Sequence, residues 1–292
     1  MRKIPYVSLQ SQWIEEKKDL QNIFKEVMSS GEFVGGRYVN KFESQIAKYC
    51  GTKYAASFNS GTDALTMALY ISGIKRGDEV ITPPNSFISS TSVIAHLGAI
   101  PVFCDVLADQ NIDPLQIEKL ITKNTKAILP VHLTGRISEM KIINELAKKY
   151  NLKVIEDSAQ AIGSKYYSKK SGSLSDIGCF STHPLKNLNA SGDGGFFTTN
   201  SKKFWQKAKE ISNLGLINRN KVNEFGHVSR MDNLQAAILT YRLGNLNSVI
   251  KRRRKNAKFY IDNLNKDNIF YPKEESHQFN TYHTFVVQVS KR

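Results

Sequence analysis

Tyr54-Ala55-Ala56-Ser57-Phe58-Asn59-Ser60-Gly61-Thr62-Asp63-Ala64-Leu65 is the stretch on which the fold reading turns. A short apolar run closes on Asn-Ser-Gly-Thr, and Ala64, Leu65, Met67, Ala68 and Leu69 then recur as they would along a helix. A strand that turns tightly into a helix is the opening of a βαβ unit.

Outward from there the alternation repeats. Glu79 to Thr82 reads as a strand between Gly77-Asp78 and Pro83-Pro84, and Phe87 to Leu97 as a helix. Next come a strand over Pro101 to Asp105, a helix after Asp113-Pro114 and a buried strand over Ala127 to Val131. Glu139 to Tyr150 reads as a helix and Lys153 to Glu156 as a strand. Ile177 to Ser181 and Gly195 to Thr199 add two strands with no full helix between them. Such spacing predicts an α/β fold with a mostly parallel central sheet covered by helices on both faces. From Met231 the pattern changes: residues 232–264 read as one or two long helices with Leu234, Ala237, Ile238, Tyr241 and Leu246 inward, and Tyr282 to Val289 alternates like a strand. The expected division is a large domain over 1–245, its first residues packing with the small one, and the start of a small α+β domain over 246–292.

The 292 residues are 40% hydrophobic and 23% charged, values of a globular chain long enough to bury a core. No run approaches the roughly 20 apolar residues of a membrane helix, and Met1 to Gln12 lacks the apolar centre of a secretory leader. The expected location is the cytoplasm. Cys50, Cys104 and Cys179 are too few and too scattered for a disulfide framework or a metal cluster. Forty-one Lys and Arg against 26 Asp and Glu give a net charge of +15. The basic residues are spread along the chain without an RNA-binding, zinc or helix-turn-helix signature, so a nucleic-acid partner is not expected. The one dense run, Lys251-Arg252-Arg253-Arg254-Lys255, reads as a solvated helix face or one meeting an acidic partner or ligand.

Three stations lie at the C-terminal ends of strands, where open α/β sheets place their ligands. At Ser60-Gly61-Thr62-Asp63 the turn offers backbone N–H groups at a helix start, a cradle for phosphate. An ordinary N-cap at Ser60 explains the same residues. At Val154-Ile155-Glu156-Asp157-Ser158-Ala159-Gln160 a carboxylate closes a buried strand and must find a cation; Glu156 points to the opposite face and reads as structural. At Phe180-Ser181-Thr182-His183-Pro184-Leu185-Lys186-Asn187 a lysine follows a buried strand in a turn bounded by Gly192, Gly194 and Gly195. A partly desolvated lysine is held at a lowered pKa and can form a Schiff base. Phosphate donors, an anion and an amine are the set a pyridoxal phosphate site requires.

These stations sit within a longer series: Ser60-Gly61-Thr62-Asp63-Ala64-Leu65, Gly77-Asp78-Glu79-Val80-Ile81, Glu156-Asp157-Ser158-Ala159-Gln160-Ala161, His183-Pro184-Leu185-Lys186-Asn187 and Ser229-Arg230-Met231-Asp232, with Met231 to Ala237 and Tyr282-His283-Thr284-Phe285 further on. The series resembles the DegT/DnrJ/EryC1/StrS family of fold-type I, pyridoxal-phosphate-dependent aminotransferases that act on nucleotide-linked keto sugars. By that resemblance Lys186 would carry the cofactor as a Schiff base and shuttle the proton, and Asp157 would pair with the pyridine nitrogen. Gln160 would lie by the ring, Phe87 would stack on it, and Gly61, Thr62 and Asp63 with the Ser181 hydroxyl would bind phosphate. Phe87 read by itself fits plain core packing equally well. His132, His183 and Arg230 are the candidate substrate contacts.

The resemblance further implies glutamate as amino donor, a nucleotide-diphosphate keto sugar as acceptor, a homodimer with a shared site, and a place in amino-sugar and surface-polysaccharide (lipopolysaccharide) biosynthesis. The Val131-His132-Leu133-Thr134-Gly135-Arg136 segment inclines the reading to a 3-keto sugar. Two positions depart from the family: Val228 stands where an Asn often reaches the partner's phosphate, and Ile162 where a His is usual. A sugar dehydratase, in which His replaces the lysine, is the runner-up enzyme and Lys186 argues against it; a shortened, impaired or non-catalytic relative is the other alternative. Relatives usually continue beyond the Tyr-His-x-Phe strand, so the small domain is expected to be incomplete and either mobile or covered by another chain.

Overall fold

The computed structural model describes residues 5, 7–265 and 267–290. Two helices, α1 (Leu9–Ser30) and α2 (Arg37–Cys50), precede β1 (Tyr54–Phe58). Then α3 (Gly61–Ile71), β2 (Glu79–Thr82), α4 (Ser89–His96), β3 (Ile100–Phe103), α5 (Pro114–Ile117), β4 (Thr125–Ile128), α6 (Met140–Tyr150) and β5 (Lys153–Asp157) alternate as the sequence predicts. A small hairpin, β6 (Lys165–Tyr166) and β7 (Lys169–Lys170), leads to β8 (Ile177–Ser181) and β9 (Gly195–Thr199). Beyond them lie α7 (Lys202–Ile211), a second hairpin of β10 (Leu216–Asn218) and β11 (Lys221–Val222), the long α8 (Asn233–Asn263), and three short strands, β12 (Ile269–Phe270), β13 (Gln278–Phe279) and β14 (Gln288–Val289).

Seven strands form the central sheet in the order β1-β9-β8-β5-β4-β2-β3. β9 runs antiparallel to both its neighbours, and every other pairing in this sheet is parallel. Side-chain alternation along the strands divides the core into two layers. Ala56, Phe58, Val80, Ala127, Ile155, Cys179 and Phe197 pack beneath Leu65 and Leu69 of α3, Val93 and Ile94 of α4 and Ala208 of α7. Their strand neighbours face the other way: Ala55, Phe180 and Phe196 meet Phe42 and Ile46 of α2 and Leu239 and Leu246 of α8. Ile81, Ile128 and Val154 meet Ile117 of α5 and Met140 and Ile143 of α6. A sheet buried on both sides reads as continuous apolar runs, which is why these strands were legible.

The helices α1, α2 and α7 lie outside the elements expected from the pattern. Neither α1 nor α2 has a side-chain cap on its first turn to announce its start, and α1 buries only Leu20 and Val27 among its described positions. α8 is a single helix, unbroken through residue 245, where the expected domain boundary falls.

The expected strand over Tyr282 to Val289 is a correction. Only Gln288 and Val289 pair, with Phe270 and Ile269. At the start of the segment the carbonyls are taken by α8, Arg253 Nη1 donating to the Tyr282 and His283 oxygens at 3.5 and 2.9 Å, and just before it Arg254 Nη1 donates to the Asn280 oxygen at 2.7 Å. Tyr282 itself is left-handed, with φ +48°. The Lys251–Lys255 run divides between its two readings: Lys251, Arg252 and Lys255 are exposed, whereas Arg253 and Arg254 turn inward, Arg254 holding Glu274 at 2.7 and 3.0 Å and lying over the Phe279 ring.

Candidate active site

The C-terminal ends of β1, β5 and β8 and the N-terminal end of β9 meet on one edge of the sheet. Phe58 pairs with Gly195, and Gly195 with Ser181, so the β1–α3 turn and the residues after β8 are brought side by side. The approach is close enough to exclude side chains: a Cβ on Gly61 would stand 2.6 Å from the Ser181 Cβ, and one on Gly195 would stand 2.3 Å from the Ser60 carbonyl. Ser60 Oγ accepts from the Asp63 N–H at 3.0 Å, the N-cap that starts α3.

A cavity of about 1240 Å³ opens over this edge. Gly61 and Thr62 from the turn, Asp157 and Gln160 from the end of β5 and just after it, Ser181 from the end of β8, His183 and Lys186 from beyond it, and Phe87 from just before α4 all line it. Four separate segments of the chain thus share one cavity.

Each of these side chains has a defined setting. Asp157 is buried, its Oδ1 accepting from the Ala159 N–H at 3.1 Å and its Oδ2 from Ser90 Oγ at 2.7 Å. Desolvation lowers the pKa of Lys186 and the Asp157 carboxylate partly opposes the shift. The Thr134 N–H donates to Gln160 Oε1 at 2.7 Å, which turns the amide nitrogen of Gln160 away from that loop. Thr62 Oγ1 lies 2.8 Å from Ser89 Oγ. Phe87 is 69% exposed, so it is not a core residue; its ring stands at the cavity edge.

Three expected residues are placed elsewhere. Asp63 does not line the cavity: its N–H serves the Ser60 cap and its carboxylate meets Ser229 Oγ at 2.6 Å. His132 is fully buried, its Nε2 3.0 Å from Glu156 Oε2 and its Nδ1 accepting from the Ser138 N–H at 3.3 Å. Glu156 also accepts from the Gly172 and Leu174 N–H groups and from Ser175 Oγ, so this pair is a structural knot behind the strand. Arg230 is exposed, points its Nη1 to Asn213 Oδ1 at 3.0 Å, and does not line this chain's cavity. Of the two departures, Ile162 is buried against the α2–α8 layer, and Val228, half exposed, makes a bridge with Asn213.

The sequence reading missed a wall. His283, Thr284 and Phe285 line the cavity, as do Arg253 and Tyr260 of α8. His283 Nδ1 lies 3.4 Å from Asn187 Oδ1, and its main chain donates to the Thr134 oxygen at 2.8 Å. Burial first, then the nearby Lys186 and Arg253 charges, push the His283 pKa down to about 3, so the ring is neutral at ordinary pH. Its Tyr-His-x-Phe setting was the available signal, although nothing in that tetrapeptide marks a ring that faces a lysine 97 positions earlier in the numbering.

The family model of the DegT/DnrJ/EryC1/StrS aminotransferases matches residues 14–292. The chain belongs to that family. A dTDP-3-amino-3,6-dideoxy-alpha-D-galactopyranose transaminase of Aneurinibacillus thermoaerophilus is 41% identical over 99% of this chain and 80% of its own length. A pleiotropic regulatory protein of Geobacillus stearothermophilus is 38% identical over 99% of this chain and 79% of its own. Among solved structures, DesV of S. venezuelae in complex with a ketimine intermediate superimposes with a TM-score of 0.97 at 35% identity, over 100% of this chain and 79% of that one. The chain thus spans about four fifths of the length of these relatives.

As a member of the DegT/DnrJ/EryC1/StrS family it is a pyridoxal-phosphate-dependent aminotransferase of α/β architecture. The residues present suit that cofactor: a glycine cradle that a Cβ would fill, a buried carboxylate and a half-buried amine share one cavity. No group of His, Cys, Asp and Glu suited to a metal occurs among the described residues, and no described helix is long and apolar enough to cross a membrane.

Proposed function

We propose that the enzyme moves an amino group from glutamate to the keto group of a nucleotide-diphosphate sugar, with Lys186 as the residue that carries the cofactor and moves the proton. The observation that carries this reading is the meeting of Lys186 and Asp157 in one cavity. When bound, the cofactor supplies an electron sink that stabilises negative charge on the substrate carbon. Asp157 would hold the ring nitrogen protonated through its opposite charge. Lys186, with its pKa lowered by burial, would release and take back a proton more readily than an exposed lysine. Gly61 and Thr62 with Ser181 would seat the phosphate, Gln160 and Phe87 would bracket the ring, and His183 would lie on the substrate side.

Support for a 3-keto sugar comes from the Aneurinibacillus relative, a dTDP-3-amino-3,6-dideoxy-alpha-D-galactopyranose transaminase. Within segment 131–136, Val131 lines the cavity and the Thr134 N–H holds Gln160, while His132 faces Glu156. A homodimer is supported by the apolar residues exposed around β10 and β11: Leu214, Ile217, Val222, Val228 and Phe225, the last 99% exposed. We further propose a cytoplasmic role in amino-sugar and surface-polysaccharide synthesis, with α8 carrying the chain from the large domain into the small one.

The purified enzyme should absorb in the visible, and borohydride should fix the chromophore on Lys186. Assay of a panel of nucleotide 3-keto and 4-keto sugars with glutamate then identifies the acceptor. Normal turnover by Lys186→Ala, or no turnover with any keto sugar, would overturn the proposal.

A further inference from the structure

Ser90 is completely buried on the first turn of α4, beside Val93 and Ile94. An alanine would suit such a place better, because a buried hydroxyl must find partners. It finds two. Ser90 Oγ donates to Asp157 Oδ2 at 2.7 Å, and Ser86 Oγ lies 2.7 Å from Ser90 Oγ. An ionised carboxylate has no proton to give, so the Ser90 proton points to Asp157 and the shared bond with Ser86 must use the Ser86 proton. The direction is therefore fixed: Ser86 to Ser90 to Asp157. Ser86 lines the cavity, and with its own proton committed it presents only lone pairs there.

We infer that Ser90, supported by Ser86, is a positioning residue that sets the orientation and strength of the Asp157 carboxylate toward the cofactor ring. The inference rests on the assignment of Asp157 to the ring nitrogen given above. Asp157 has its backbone locked as well, its N–H donating to the Pro130 oxygen and its oxygen accepting from the His132 N–H. What remains free is rotation of the carboxylate, and Ser90 with the Ala159 N–H removes it by taking one oxygen each. A charge-assisted O–H···O⁻ bond also draws charge from the carboxylate. The pairing with the ring would then be tuned from behind, at a residue that never touches the cofactor.

The test compares Ser90→Ala, Ser90→Thr and Ser86→Ala with Asp157→Asn, and uses Ser92→Ala on the same helix as a control. Cofactor affinity is read by titrating pyridoxal phosphate into apoprotein, alongside the visible spectrum and separate kcat and KM values. Ser90→Ala should lower kcat about tenfold, the scale of one charge-assisted hydrogen bond, shift the visible band and weaken cofactor binding severalfold, with KM for the sugar within twofold. Ser90→Thr should restore all of these, and Ser86→Ala should show the same changes in smaller measure. If Asp157→Asn impairs the enzyme while Ser90→Ala matches wild type, the relay is wrong and the role of Asp157 stands. If Asp157→Asn is itself neutral, both fail. Equal losses in Ser90→Ala and Ser92→Ala, unrescued by threonine, would reduce Ser90 to a packing residue.

Discussion

A Cβ placed on Gly61 would stand 2.6 Å from the Cβ of Ser181 and 2.9 Å from its Cα. The first residue of α3 and the last residue of β8 are thus pressed together with no room for a methyl group. Both line the cavity, so this contact fixes the spacing of the proposed phosphate cradle.

Gly61→Ala should therefore damage the site more than the fold. Overpacking of this kind costs about 1–3 kcal/mol, seen as a lower urea midpoint. Cofactor affinity should fall at least tenfold because the Ser60–Thr62 turn must move away from Ser181. Titration of apoprotein with pyridoxal phosphate checks it, and Gly244→Ala, where the added Cβ meets nothing within 4 Å, serves as the control.

Lys186 is held below its ordinary pKa by burial. Between that lowered value and the usual lysine range near 10.4, the unfolded chain binds a proton that the native state does not, so native stability rises with pH in this window. Cofactor-free Lys186→Met, which has no buried cation, should be more stable than wild type at neutral pH. Its advantage should shrink as the pH climbs through the lysine's lowered pKa. Paired urea titrations at several pH values measure the difference.

For His283 the same sign applies at the acid end. The native ring resists protonation down to about pH 3, whereas the unfolded ring takes a proton near 6.5. Stability is consequently lost as pH falls from 6.5 toward 3. His283→Gln should escape that loss, gaining about 1–2 kcal/mol on wild type between pH 7 and pH 5. Chemical denaturation at the two values decides it.

Glu156→Gln separates structure from chemistry at neighbouring positions of one strand. The carboxylate accepts from two backbone N–H groups, Ser175 and the His132 ring, and an amide would face one of these donors with its own NH2. Destabilisation of about 3 kcal/mol is expected, with kcat per folded molecule within twofold of wild type. Denaturation curves and active-site titration together test this.

What the sequence disclosed follows from what its residues bury. β4, β5, β8 and β9 are covered on both faces, so their apolar runs are nearly uninterrupted, and the alternation with α3 and α6 gave the fold. Asp157, Ser181 and Lys186 could be found because each follows such a run within a few residues. Arg253 could not. Its neighbours Lys251, Arg252 and Lys255 are solvated, and only the path of residues 280–283 across α8 turns Arg253 and Arg254 inward. His132 was misplaced for a related reason: a histidine just after a buried strand looks the same in sequence whether it faces a cavity or, as here, Glu156. Tyr282 to Val287 has a strand's alternation but no partner strand among the described residues; Arg253 holds the carbonyls of Tyr282 and His283.

The position of β9 has a consequence for how the enzyme comes into being. Within the central sheet β1 has a single neighbour, β9, and Tyr54 meets Thr199 across that ladder. An emerging polypeptide therefore lacks the strand that pairs with β1, and so the neighbour of the β1–α3 turn, while β2, β3, β4, β5 and β8 are still being made. Pairing between such distant segments comes late and is slow to close. Cofactor capture during translation should accordingly begin only once β9 has cleared the ribosome, so that vitamin supply acts on chains that already carry β1 to β9 and not on shorter fragments.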